Sequence, residues 1–187
     1  MKKAIVSLML VVSLCFPYFA SADKEDGNIC TLDEFIERYN EGMTALEYEE
    51  LYGIDPSLNK KNLTIEPGEV NDTLNFAIDN DQNNGFCILM LNKGSENING
   101  LFCIMPYRGD NKQPVWTLEY ATATIYGSGL ISDVNDITEA MYEMGLYSKD
   151  CFALGKTGSY KGNGLLAKYD VLDMGGTQVV TIAVDFE

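Results

Sequence analysis

The sequence predicts an α+β fold: an antiparallel sheet of about five strands with helices packed on one face, in the order α-βββ-αα-ββ. Three patterns support this fold class. Two apolar runs flank a polar turn between Phe86 and Met105, a helix start signal stands at Thr31, and the last segment, Thr177 to Phe186, is rich in β-branched residues. Short apolar runs bounded by turn residues are typical of buried strands, whereas apolar residues at intervals of three and four indicate a helix.

Residues 1–22 have the pattern of a secretory signal peptide. Met-Lys-Lys, a start typical of bacterial signals, is followed by an apolar segment from Ala4 to about Tyr18 and by the small residues Ala20-Ser-Ala22. The apolar segment is shorter than the roughly 20 residues that a membrane-spanning helix needs. We therefore expect residues 23–187 to form a single α+β domain that is secreted or periplasmic, with no stable membrane insertion after signal cleavage.

The chain is strongly acidic. Its 28 Asp and Glu residues outnumber 13 Lys and Arg, for a formal net charge of −15, and loss of Lys2 and Lys3 with the signal would make the charge −17. Such a field repels phosphate backbones, and the sequence contains no basic cluster. Nucleic acid is therefore not an expected partner.

The first helix is predicted to begin after Thr31, because this threonine and the glutamate three residues later form a capping box. We expect Gly42 to end the helix, and a second amphipathic stretch follows from Leu46 to Leu51. A long loop is expected from Ser57 to Asp72, with a short strand at Leu63 to Ile65. The apolar face of the first helix has helical spacing: Leu32, Phe35, Ile36, Tyr39 and Met43.

Three strands are predicted next as a meander, with a polar turn from Asp79 to Gly85 between the first and the second: Leu74 to Ile78, Phe86 to Leu91 and Ile98 to Met105. The second and third runs are continuously apolar rather than alternating. Continuous apolarity implies that both faces of these strands are buried.

The five-residue turn between the second and third strands predicts their register. If Asn92 lies opposite Ile98, then Leu91 lies opposite Asn99 and Cys87 lies opposite Cys103. Opposed residues on antiparallel strands have Cα atoms about 4.5 to 5.5 Å apart, a distance that a disulfide can span.

Four cysteines would remain after signal cleavage, and an even number in an exported chain favours disulfides. The predicted register pairs Cys87 with Cys103, which leaves Cys30 to pair with Cys151. A zinc site is not expected, because the sequence has no C-x-x-C spacing and no histidine.

The segment from Trp116 to Tyr126 fits two structures. Its alternation and its threonine and tyrosine content favour a strand, whereas its small and apolar residues also fit a helical face. We favour a helix, because a helical segment that ends at Gly145 follows and would pair with it as an αα-hairpin. After a glycine-rich approach from Gly158 to Gly164, Leu165 to Leu172 and the last segment are predicted to form a closing hairpin.

Asp79, Asp81 and Asn83 place oxygen donors at alternate positions, as a calcium loop does. The match is incomplete, because the glycine comes one place late for an EF-hand and Met90 stands where a glutamate ligand is required. A polar loop between two strands explains the same composition. Calcium is therefore the one cofactor that the sequence suggests, and none is otherwise expected.

The absence of histidine removes histidine-based triads and the commonest general base. Carboxylate chemistry of the glycosidase type remains, but no acidic pair stands out. The sequence therefore favours an exported, acidic, non-catalytic binding or interaction protein with an unknown protein or small-molecule partner. The alternatives are a carboxylate-dependent secreted hydrolase and a calcium-stabilised extracellular module. Candidate binding residues are aromatic residues outside the predicted core strands: Tyr107, Trp116 and Tyr160.

Overall fold

A computed structural model describes the chain from Gly27 onward, and the predicted signal peptide lies outside the described residues. The described ranges are 27–53, 55–80, 83–107 and 113–187, with the backbone alone at 52, 78–80, 83–84 and 113–116. They contain eight strands and four helices. The α+β class and the antiparallel sheet are therefore confirmed.

The described part of the chain has four α-helices and two short 3₁₀ turns, at Lys60–Asn62 and Val134–Asp136. None of these described helices combines the length and the apolar character needed to traverse a lipid bilayer. The helices are α1 (Leu32–Ala45), α2 (Tyr48–Tyr52), α3 (Gln113–Gly127) and α4 (Ile137–Met144).

All the strands belong to one antiparallel sheet, in the order β2-β3-β4-β5-β8-β7-β6, with β1 paired to the start of β5. Strand β5 therefore has β4 on one side and β8 on the other. The strands are β1 (Cys30–Thr31), β2 (Ile65–Glu66), β3 (Asn71–Asn80), β4 (Asn83–Asn92), β5 (Asn97–Tyr107), β6 (Thr157–Gly162), β7 (Leu165–Asp173) and β8 (Gln178–Phe186).

The prediction of about five strands was too low, and the predicted element order was incomplete. Strand β1 has two residues, too few for an apolar pattern, and β2, which also has two, overlaps the end of the short strand expected at Leu63 to Ile65. Strand β6 contains Gly158 and Gly162 on the face that meets the helices. A Cβ at Gly158 would lie 2.0 Å from the Met144 carbonyl oxygen, and one at Gly162 would lie 2.4 Å from the Leu130 carbonyl oxygen. Because they have no side chain, these glycines let the helix layer approach β6 closely. The glycine-rich segment is therefore a strand here, although glycine usually indicates a turn.

The predicted register of β4 and β5 is confirmed at Cys87, which lies opposite Cys103. It is wrong at the turn end, where Leu91 lies opposite Ile98 instead of Asn99. A bulge at Asn99 causes the difference, and the Asn99 side-chain amide donates to Asn92 Oδ1 at 2.8 Å. The extra residue is absorbed before the apolar run begins, so the rest of the alignment is preserved.

The polar turn predicted from Asp79 to Gly85 is shorter than expected. The ladder of β3 and β4 continues to the pair Asn80 and Asn83, which leaves residues 81–82 between the two strands.

Helix α1 begins as predicted. The Thr31 hydroxyl accepts from the Glu34 amide at 3.3 Å, and the Glu34 carboxylate accepts from the Thr31 amide at 2.8 Å. Gly42 does not end the helix, which continues to Ala45. A Cβ at Gly42 would lie 3.2 Å from the ring of Tyr126 on α3, so this glycine accommodates close packing of the two helices.

The preference for a helix at Trp116 to Tyr126 is confirmed, since α3 covers this segment. Helix α3 packs chiefly against α1 rather than against the helix that follows it. Helix α4 ends as predicted at Gly145, whose left-handed φ of 86° lets the Leu146 amide donate to the Met141 carbonyl at 3.0 Å. The closing hairpin of β7 and β8 is also confirmed.

The core lies between the helices and one face of the sheet. On this face the central strands contribute fully buried side chains: Leu89, Leu101, Cys103, Met105, Val180 and Ile182. On the opposite face Met90, Ile104 and Val179 are also buried, although they lie outside that core. The central strands are therefore apolar on both faces, as their continuous apolarity predicts.

Replacement of Gly158 by alanine is expected to destabilise the protein by about 2 kcal/mol, because the new Cβ would overlap the Met144 carbonyl oxygen. Ser159→Ala is the matched control, since the exposed Ser159 side chain points to the opposite face of the same strand. The measurement is urea unfolding of both variants. Equal stabilities would show that β6 does not need a glycine at this position.

Loss of the Thr31 hydroxyl from the capping box in Thr31→Ala is expected to cost about 1 kcal/mol at neutral pH. Hydrogen bonds from the Thr31 amide and hydroxyl lower the pKa of Glu34. A carboxylate with a lowered folded-state pKa stabilises the protein above its unfolded pKa of about 4.3, and this contribution is lost as the pH falls through the folded-state pKa. The Thr31 amide remains in Thr31→Ala, so the substitution removes only the hydroxyl's share of this contribution, and its cost should shrink between pH 6 and pH 3, as measured by urea unfolding.

The control for this pH dependence is Thr44→Ala, in the last turn of the same helix. The Thr44 hydroxyl donates to the Asn40 carbonyl, so no titratable group takes part in its hydrogen bond. Its cost should be the same at both pH values. A pH-independent cost of Thr31→Ala would contradict the role given to Glu34.

Candidate functional site

A cleft of about 770 Å³ lies where the end of β5 and the start of β8 meet the segment that follows α4. Tyr107 and Gln178 form the last cross-strand pair of these two strands, and both line the cleft. Leu118 of α3 and the buried Leu146 contribute apolar wall. The volume is in the range of small-molecule sites, about 300 to 1,000 Å³.

Two aromatic pairs line the cleft. The rings of Tyr107 and Phe152 are 5.3 Å apart with an interplanar angle of 47°. The rings of Tyr142 and Tyr147 are 5.0 Å apart at 78°, an edge-to-face arrangement. Paired rings hold each other in position, since such contacts contribute about 0.5 to 1.5 kcal/mol beyond burial. Tyr142 is nonetheless 66% exposed, so its ring is accessible from solvent.

The segment after α4 is held by successive turns rather than by regular structure. The Cys151 amide donates to the Ser148 carbonyl at 3.1 Å, and the Ala153 amide donates to the Asp150 carbonyl at 2.9 Å. The Gln178 side-chain amide donates to the Phe152 carbonyl and ties the segment to β8. Backbone and side-chain bonds therefore fix Phe152 in the cleft wall.

Asp150, which lines the cleft, forms an ion pair with Lys156. Lys156 Nζ lies 2.6 Å from Asp150 Oδ2, and this contact lowers the pKa of the Asp150 carboxyl. Both side chains are largely exposed, so the pair contributes little to stability. Cys151 lies in the wall beside them, and burial is the main reason why its thiol pKa is raised. A protonated Cys151 is a poor nucleophile at neutral pH.

One wall of the cleft has polar groups behind the rings. Burial chiefly raises the pKa of Tyr147, and a hydrogen bond with the Thr122 side chain acts in the opposite direction. Glu119, 7% exposed, is close enough to raise the pKa of Tyr147 further. The cleft is therefore apolar and aromatic at its surface, with a buried carboxyl and a hydroxyl beside one of its rings.

The structure places one of the three predicted binding residues in this cleft. Tyr107 lines it, and its ring is half-buried. Trp116 lies in the first turn of α3, two residues before the cleft residue Leu118, and its side chain is outside the described residues. Tyr160 is on β6, between two glycines that face the helix layer, and it packs half-buried against the core.

The four cysteines predicted to form disulfides are all buried thiols here. Cys87 and Cys103 face each other with sulfur atoms 2.7 Å apart. Cys30 lies opposite Ile98, near the start of β5. Cys151 lines the cleft with Tyr107, and Tyr107 is nine residues from Ile98, or roughly 30 Å along the strand. A disulfide needs Cα atoms within about 7 Å, so this fold does not bring Cys30 and Cys151 together as expected.

The predicted calcium ligands fall at the tip of the β3–β4 hairpin. The backbones of Asp79 and Asn83 belong to the strand ladder, whereas their side chains and all of Asp81 lie outside the described residues. Elsewhere in the described ranges, no three cysteine or acidic side chains are grouped as metal ligands. For two-carboxylate hydrolysis, the described lining of the cleft provides one carboxylate, Asp150, which is paired with Lys156.

Most of the cleft residues were not identified from the sequence. Tyr142 is on α4, whereas Tyr147 and Phe152 belong to the turns after it, where no regular pattern exists. One signal was present: Tyr142 stands next to Glu143 on the polar face of an amphipathic helix, where a large aromatic residue is unusual. A single exposed aromatic is common on protein surfaces, so this signal alone does not locate the cleft.

No protein-family model, curated protein or solved structure matches the chain significantly.

Proposed function

We propose that this chain is an exported binding protein that holds a ligand in the aromatic cleft and performs no chemistry on it. The observation that carries the proposal is the pair of aromatic contacts that line the cleft, Tyr107 with Phe152 and Tyr142 with Tyr147. Tyrosine offers a large contact area with few rotatable bonds, and it is enriched at binding surfaces.

The composition of the cleft favours a ligand with a flat apolar or aromatic portion and a polar portion. The rings and the leucines Leu118 and Leu146 would contact the apolar portion. Ser148 and the Asp150–Lys156 pair at the rim would contact the polar portion. Such a ligand could be a small molecule or a short segment of a protein partner, since both fit a cleft of this volume.

Export is supported by the apolar segment and the small-residue pattern at the N-terminus. When the full chain is produced in a bacterial host, the exported protein should begin at Asp23. An Ala20→Leu, Ala22→Leu variant should keep the longer N-terminus, because large residues block the cleavage pattern. Intact mass measurement distinguishes the two forms. Wild-type protein found only at full length inside the cell would contradict export.

Ligand binding is tested with a panel of neutral oligosaccharides, short peptides that contain Phe, Tyr or Trp, and small aromatic compounds. Binding is measured by ligand-observed NMR and quantified by titration calorimetry. Loss of a cleft ring by Tyr107→Ala or Tyr142→Ala should weaken binding by about tenfold, as expected for an aromatic contact residue.

Two control variants replace side chains whose exposure is similar to that of the cleft residues Tyr107 and Tyr142. Tyr160→Ala removes another half-buried strand tyrosine, and Leu51→Ala removes a side chain that is 61% exposed, close to the exposure of Tyr142. Both controls should bind within twofold of the wild type. Absence of binding across the panel, or equal losses in the cleft and control variants, would contradict the assignment of the cleft as the binding site.

A further inference from the structure

The paired thiols at the centre of the sheet are the feature that supports an inference beyond the cleft. We propose that Cys87 and Cys103 form the single disulfide of the exported protein, that Cys30 and Cys151 remain thiols, and that the bridge closes before α1 packs on the sheet. The proposal is independent of what the cleft binds. It requires an oxidising compartment, which export would supply.

The position of the bridge follows from the strand register. Cys87 lies directly opposite Cys103, and the pairs on either side of them, Phe86 with Ile104 and Ile88 with Phe102, continue the ladder without a break. Directly opposed Cα atoms lie about 4.5 to 5.5 Å apart, within the range for disulfides. Both side chains point to the helix-covered face, and their sulfur atoms are already in contact.

The restriction to one bridge follows from the other two cysteines. Cys30 is held at β1, where its thiol donates to the Gly127 carbonyl at 3.8 Å. Cys151 lies in the cleft wall, toward the opposite end of β5. Cys103 is five residues from Ile98, the partner of Cys30, and four residues from Tyr107, which lines the cleft with Cys151. Each strand residue spans about 3.3 Å, so several residues of β5 separate the central pair from either of these thiols.

The order of events follows from what covers the pair. Cys87 and Cys103 are both 0% exposed. Tyr39 of α1 lies close enough to both thiols to interact with them electrostatically, and its ring packs on Phe76, which is opposite Cys87 on β3. In the folded protein, therefore, α1 stands between the sulfur atoms and any oxidant. Burial also raises the pKa of Cys87, which disfavours the reactive thiolate.

The hairpin itself can form early. The two cysteines are separated by 16 positions in the sequence, and local hairpins form within microseconds. Docking of α1 on the sheet requires contacts between residues much further apart in the sequence, which form more slowly. An interval therefore exists in which the thiols face each other while their helix-side face is open.

The chemistry is thiol–disulfide exchange with an oxidised disulfide donor. The thiolate of one cysteine attacks a donor sulfur, which forms a mixed disulfide and releases one donor thiolate. The second cysteine, deprotonated, attacks the protein sulfur of the mixed disulfide and releases the other donor thiolate. Two electrons pass to the donor, the two cysteine protons are taken up by the released thiolates, and the Sγ–Sγ bond closes.

The test uses the exported protein, first as isolated and then reduced, unfolded and refolded with glutathione. In one arm, refolding takes place in oxidised and reduced glutathione. In the other, refolding is completed under reductant before transfer to the same glutathione buffer. Thiols are alkylated in denaturant and without reductant, so that buried thiols also react, and intact mass and peptide mapping identify the bridge. We expect the 87–103 bridge and two alkylated thiols both in the isolated protein and in the first arm.

In the second arm the bridge should form at least about tenfold more slowly, because the helix layer must open before the thiols can be oxidised. Four alkylated thiols in the isolated protein, or a bridge that contains Cys30 or Cys151, would overturn the pairing. Equal rates in the two arms would overturn the proposed order.

Two double variants keep the pairing falsifiable if removal of the central cysteines prevents folding. Cys30→Ser, Cys151→Ser retains the central pair and should form the bridge at the wild-type rate. Cys87→Ala, Cys103→Ala should contain no intramolecular bridge. Loss of the bridge in the first variant would overturn the proposal, whatever the second variant does.

Discussion

The described structure depends on the backbone pairing of β5 with its two neighbours. Strand β4 on one side brings in β3 and β2, and β8 on the other side brings in β7 and β6. The start of β5 also pairs with β1, which leads into α1. The contact between β5 and β8 thus joins the two halves of the sheet. A slip of one residue in that pairing would exchange the faces of every side chain beyond it, so the register is strongly constrained by the buried face.

Small residues let helices α1 and α3 approach each other closely. Gly127 of α3 has room for no side chain, since a Cβ there would lie 2.9 Å from the Phe35 ring. Gly42 on α1 faces Ala123 in the same interface. Helix α3 is buried almost all round, from Glu119 through to the turn after it. Close approach of the two helices explains why α3 has alanine and threonine where an outer helix would have charged residues.

The cleft is located where this scaffold ends. Tyr107 and Gln178 close the ladder between β5 and β8, and the turns after α4 bring the other aromatic rings to the same place. Each ring of the cleft already contacts another ring, so little side-chain freedom remains to be lost when a ligand enters. The central strands therefore act as support, and the loop segment provides the contact surface. Functional residues are often on loops that a rigid scaffold positions.

The sequence by itself determined the features that depend on neighbouring residues. These are the capping box at Thr31, the glycine stop at Gly145, the closing hairpin and the alignment of Cys87 with Cys103. Each arises from contacts within a few residues or across one turn, so its pattern is visible in a short stretch of sequence. The sequence favoured a helix over a strand for α3 only narrowly, because a helix that is buried on all sides has no polar face to reveal the helical period.

Only the tertiary structure decided which glycines mark turns and which accommodate close packing. Gly42 and Gly158 lie inside regular elements because a distant backbone or ring occupies the space beside them, and no local pattern records that neighbour. The separation of Cys30 from Cys151 likewise follows from the length of β5, which lies between them. The cleft is the clearest case: its rings come from one strand end and from irregular turns far along the chain, and they meet because the order of strands in the sheet brings those segments together.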